Sequence, residues 1–152
     1  MGDKEAARAA VQVAYSFWRA LANDDDDALP AICSYEFLLH HGGPGPGIAD
    51  RLRQLLGIDR AECAAIGVTN MVRRLDDGGL IALGLLPRGL GPQVFGLNGP
   101  EFINRAWPLL VYPTAEDGVQ RVFGSVDLEG VRPRIVEWIR LDVELPVTGP
   151  LQ

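Results

Sequence analysis

The stretch Val68-Thr69-Asn70-Met71-Val72-Arg73-Arg74-Leu75-Asp76-Asp77-Gly78-Gly79-Leu80-Ile81-Ala82-Leu83-Gly84-Leu85-Leu86 decides the fold class of this chain. Its two apolar arms are rich in β-branched and aliphatic residues and flank an Asp-Gly turn, which is the short-range signal of a β-hairpin. Upstream of it the apolar period is different. Ala10, Ala14, Phe17, Trp18 and Leu21 recur at i, i+4, i+7, i+8 and i+11, the spacing of one helix face, with Asp3 as an expected cap. Ile48, Leu52, Leu55 and Leu56 repeat that helical spacing after the Gly/Pro run at residues 42–47.

Downstream the period stays at two. Residues 107–112 and 119–126 flank a Thr-Ala-Glu-Asp-Gly turn and predict a second hairpin. In the last strand Ile135, Glu137, Ile139, Leu141 and Val143 share one face, with Val136, Trp138, Arg140 and Asp142 on the other. Residues 28–32 predict a short second helix behind the acidic run Asp24-Asp25-Asp26-Asp27, which suits a helix N-terminus. Residues 35–41, rich in aromatic and apolar side chains, predict a strand ending at the Gly-rich loop. Residues 87–100 predict a long loop and a lid over a pocket. Helices first and hairpins afterwards argue an α+β domain and against a doubly wound parallel sheet.

Composition narrows the function classes. The chain has 152 residues, the size of a single domain spanning 1–152, and neither a repeat nor a linker interrupts it. Apolar residues make up 47% and charged residues 22%, ordinary globular usage that predicts independent folding. A formal charge of −6 with scattered bases repels a phosphate backbone, so no nucleic-acid partner is expected. No apolar run has the length of a membrane span or the form of a signal peptide, so neither membrane association nor export is expected and a cytoplasmic location is. Cys33 and Cys63 sit among Ala and Ile and predict buried, inert thiols. Two histidines, two such cysteines and acids without ligand spacing predict neither a metal nor another cofactor.

Four stretches together resemble the nuclear transport factor two-like superfamily, which includes SnoaL-like polyketide cyclases, ketosteroid isomerases and limonene epoxide hydrolases. They are the helix ending Phe17-Trp18-Arg19-Ala20-Leu21-Ala22-Asn23-Asp24-Asp25, Phe37-Leu38-Leu39-His40-His41-Gly42-Gly43, Gly47-Ile48-Ala49-Asp50-Arg51-Leu52, and Arg134-Ile135-Val136-Glu137-Trp138-Ile139-Arg140-Leu141-Asp142. The resemblance implies N-terminal helices packed in a curved, mostly antiparallel sheet forming a cone-shaped barrel, a pocket at its open end, and a homodimer. Where isomerases of this kind place a general-base Asp, the chain has His41, and residues 120–124 lack the partner acid.

Candidate chemistry centres on His41 and Glu137. Imidazole is the side chain whose ordinary pKa lies near neutrality, and a Gly-rich loop beside it suits a pocket mouth. A carboxylate on the apolar face of the last strand would be pushed up in pKa and suit a general acid unless Arg134 or Arg121 pairs with it. Tyr15, Trp18, His40 and Trp107 are the candidate substrate-binding residues. These features, with the resemblance, predict a cofactor-independent enzyme doing acid/base work on an apolar small molecule, of cyclase, isomerase or epoxide-opening type, in secondary metabolism. The rival reading is a non-catalytic small-molecule-binding or protein-interaction module.

Overall fold

Ala7, Ala10, Val11, Ala14, Phe17, Trp18 and Leu21 are all without solvent exposure, and together they form the single apolar stripe that makes α1 (Asp3–Ala22) the spine of the molecule. In the computed structural model, which describes residues 2–86 and 105–142, the cap of α1 is Gly2, and Asp3, the expected cap, is its first helical residue. The Gly2 N–H donates to the Glu5 carboxylate at 3.1 Å, so the first turn closes on a side chain three residues ahead. Helix α2 (Leu29–Ile32) follows, then α3 (Tyr35–His40), α4 (Ile48–Leu56) and α5 (Arg60–Ala65).

The expected strand at residues 35–41 is therefore a helix. Ser34 caps it by accepting the Phe37 N–H at 3.2 Å, and Phe37 and Leu38 bury while Tyr35, Glu36, Leu39 and His40 face out. The aromatic content that reads as strand is overridden by this cap and by the stop at Gly42-Gly43, both at positive φ. Helix α5 was not expected, although Asp59 and Glu62 form a reciprocal capping box at 2.8 and 3.0 Å that marks its start.

The sheet contains β1 (Gly67–Val68), β2 (Met71–Leu75), β3 (Leu80–Leu86), β4 (Arg105–Pro113), β5 (Gln120–Ser125) and β6 (Ile135–Arg140). All its pairings are antiparallel, in the order β5-β4-β3-β2-β6, with β1 also on β3. Both expected hairpins are present, as is the last strand, with Val143 outside the described residues. A short helix α6 (Leu128–Val131) and a 3-10 turn at Arg132–Arg134 carry the chain from the β5 edge to the β6 edge.

Because β5 and β6 are edges, the sheet is open and does not close into the expected cone-shaped barrel. The β5 edge is partly covered: Cys33 bridges Val122 in parallel, and the Ser34 N–H donates to the Val122 carbonyl at 2.9 Å. Register shifts at Arg74/Leu75 and at Leu110/Val111 mark irregularities that bend the strands.

One face of the sheet packs on α1. Leu80, Ala82, Gly84 and Leu86 of β3, Trp107, Leu109 and Val111 of β4, and Val72 and Ile139 of β2 and β6 supply its buried positions. Gly84 is glycine for a steric reason: a Cβ there would lie 2.7 Å from Trp18 Nε1, so the Trp18 ring rests directly on the β3 backbone. No helix of the described residues is long and apolar enough to cross a membrane. The expected lid, residues 87–100, lies outside the described residues.

Candidate functional site

Helix α3 ends in a sequence of forced steps that place His41. The Gly43 N–H donates back to the Leu38 carbonyl at 2.8 Å, across a left-handed Gly42, and this closes the helix. Arg51 of α4 then reaches over, its Nε donating to the His41 carbonyl at 2.6 Å and its Nη2 to the Gly43 carbonyl at 2.9 Å. A Cβ at Gly42 would meet Arg51 Nε at 2.6 Å, so the brace requires glycine there. The His41 ring stands edge-on to Phe37, centroids 5.2 Å apart.

These residues form one wall of a groove of about 490 Å³, lined by Phe37, His41, Leu55, Leu56, Trp107, Phe123, Gly124 and Ser125. Trp107 is held by its indole N–H, which donates to the Leu56 carbonyl at 2.8 Å, and by the Arg105 guanidinium stacked 4.7 Å from its centroid. Trp18 stands behind it edge-to-face at 5.8 Å. Phe123 has no opposite residue on β4, because Leu110 pairs with Gly124 and Val111 with Val122. That bulge frees the Phe123 ring to line the groove while it packs edge-on to Tyr112 at 5.3 Å. The lining thus offers three aromatic rings, two leucines, a hydroxyl and a single imidazole. Half-exposed Leu55 extends it outward, and Tyr35 and Leu39 are exposed on α3.

Of the residues predicted from sequence, His41 and Trp107 share this groove. Trp18 is fully buried as the packing behind Trp107, and Tyr15 is partly buried beneath Arg19, whose guanidinium lies 4.9 Å from its ring. His40 faces out from the last turn of α3. Glu137 lines neither this groove nor the second cavity. It accepts from Arg74 Nε at 2.7 Å, with Asp3 at 4.0 Å from the same nitrogen. The expected partners are engaged elsewhere, Arg134 with Asp76 and Asp77 and Arg121 with Asp117. Glu137 beside it raises the Arg74 pKa above its ordinary value, so this guanidinium stays charged.

Arg74 lines the second cavity, of about 390 Å³, with Asp3, Ala6, Gly78, Leu80, Pro113, Gly118 and Gln120. His41 therefore lies on one cavity and Arg74, the partner of Glu137, on the other, and the structure does not bring His41 and Glu137 together. Among the described residues no three His, Cys, Asp or Glu side chains are grouped to hold a metal ion.

The sequence reading missed Phe123, Leu56 and Ser125 as groove residues and Arg51 as the brace. Phe123 carried no local signal, since a one-residue bulge is set by the pairing of two strands. Arg51 carried a weak one, a cation one turn into a helix that follows a Gly-rich loop. No family model matches this chain, and no curated protein or solved structure matches it either.

Proposed function

We propose that this α+β domain binds an apolar, ring-containing small molecule in the groove between α3, the end of α4, β4 and β5. The observation that carries this reading is the lining itself: Phe37, Trp107 and Phe123 converge with His41 and Ser125 on one concavity of drug-like size. Aromatic walls supply contact area and the imidazole and hydroxyl fix orientation. The helices-first order of elements supports a relation to the nuclear transport factor two-like superfamily.

The test is a thermal-shift screen of planar apolar compounds, followed by titration against Phe123→Ala. A ligand at about 100 times its Kd stabilises by ~2.7 kcal/mol. Hits should weaken about tenfold or more in Phe123→Ala, the loss expected for an aromatic contact at the centre of a site. Hits indifferent to Phe123→Ala and to Leu55→Asp would place binding elsewhere.

Acid/base turnover of the same ligand, of cyclase, isomerase or epoxide-opening type, is the second reading. The presence of His41 at the groove wall favours it, and any such chemistry there is one-base chemistry with Glu137 apart. His41→Ala should abolish turnover and leave ligand affinity within a few fold, and unchanged turnover would remove His41 from the reaction.

A further inference from the structure

The face of the sheet turned away from α1 has an unusual charge pattern. Met71 and Arg73 of β2 lie opposite Arg140 and Trp138 of β6, and Val136, skipped at the β2–β6 register shift, is exposed like Trp138 and Arg140. Val136 and Trp138 are 53% and 57% exposed, two large apolar side chains two residues apart on an edge strand. The Arg73 guanidinium stacks on Trp138 at 4.4 Å, and its Nη1 is closed off from solvent with no hydrogen-bond partner. Arg140 is exposed and makes no ion pair or hydrogen bond among the described residues, Asp142 included. Glu137 is the one carboxylate in the six strands, and it points to the opposite face toward Arg74.

Strand β6 pairs only with β2 among the described residues, so its other edge presents backbone donors and acceptors. An extended segment laid there would place alternate side chains beside Val136, Trp138 and Arg140. Arg73 and Arg140 outnumber Asp142, the exposed acid just past β6, so on a chain of net charge −6 that side is locally basic. A second copy of this chain is a poor occupant. In a two-fold β6–β6 pairing centred on Trp138, each Arg140 would lie beside Val136 of the other copy, so neither Arg73 nor Arg140 would gain a carboxylate.

We propose that β6 is a docking edge for an extended, acidic segment of another protein, added as a strand with apolar side chains over Val136 and Trp138 and a carboxylate against Arg140. Backbone pairing supplies affinity; the stacked Trp138 and the two arginines select acidic-apolar sequence over basic.

The experiment titrates short synthetic peptides into the full chain: one alternating glutamate and valine, one alternating lysine and valine, and a proline-interrupted form of the first. Tryptophan fluorescence reads affinity, and amide hydrogen exchange reads the β6 backbone. Expected is binding of the glutamate peptide with slowed exchange along residues 135–140, weakened ~10-fold or more by Trp138→Ala or Arg140→Glu and by added salt. The proline-interrupted peptide should lose the exchange protection. Three outcomes of the titrations overturn the proposal: equal binding of the lysine peptide, binding without β6 protection, or no binding to a folded chain. Sedimentation of the free chain as a dimer that Trp138→Ala separates would also overturn it, by giving the patch to a second copy. Both side chains are exposed, so neither variant threatens folding, and far-UV circular dichroism checks this.

Discussion

Replacing Gly84 with alanine tests the packing that fills the interior between α1 and the sheet. In a strand with room for a methyl group, glycine to alanine stabilises a protein by ~0.5–1 kcal/mol, because the unfolded chain loses freedom and the folded one does not. At Gly84 there is no room. The new Cβ would lie 2.7, 3.0 and 3.2 Å from Trp18 Nε1, Cε2 and Cζ2, the closest about 0.7 Å short of ordinary contact. The ring cannot slide away, since Trp18 is fully buried and edge-packed on Phe17 at 5.1 Å and Trp107 at 5.8 Å. Overpacking of this kind costs ~1–3 kcal/mol, which exceeds the entropic gain and sets a net loss of ~1–2 kcal/mol. With a urea m-value of ~1–3 kcal/mol/M, the midpoint should fall by ~0.3–2 M. In a domain of this size the melting temperature should fall by ~2–8 °C. Trp18→Phe, harmful alone through the cavity it leaves, should cost less in the Gly84→Ala background, with a coupling of ~0.5–3 kcal/mol in a double-mutant cycle. A Gly84→Ala protein as stable as its parent, or more so, would refute the close approach of Trp18 to β3.

Three further outcomes follow from individual contacts. Asp26 accepts the Ala49 and Gly47 N–H groups at 2.8 and 2.9 Å, and these bonds hold its carboxyl below the usual carboxylate range. Its stabilisation is therefore complete above the unfolded carboxyl pKa and lost as pH falls through the folded value, so Asp26→Asn should cost ~1 kcal/mol at neutral pH by urea titration, with the gap closing in acid. Burial pushes the Cys63 thiol up to about 12 and raises Cys33 as well, so both should resist alkylation at pH 8 until urea unfolds the chain, and fast labelling of the native protein would contradict their burial. Ser34→Ala removes the cap of α3 and should cost ~1 kcal/mol, with Ser34→Asp restoring it and with the chemical shifts of Phe37 and His41 moving only in the alanine variant.

The sequence by itself determined the α+β class, the helical stripe from Ala10 to Leu21, both hairpins and the alternation of β6, because periods of 3.6 and two are written in local apolar spacing. It also brought His41 and Trp107 forward. What it could not resolve was the state of residues 35–41, whose aromatic content suits strand and helix alike until Ser34 and Gly42-Gly43 bound it. Only the tertiary structure decided that Glu137 shares Arg74 with Asp3 and stands apart from His41, and that Trp18 packs behind Trp107 on the bare backbone of Gly84. Phe123 reaches the groove only because β4 and β5 pair with one residue out of step. Such pairings join residues far apart in the chain, and no local spacing encodes which strand lies beside which or where its register slips.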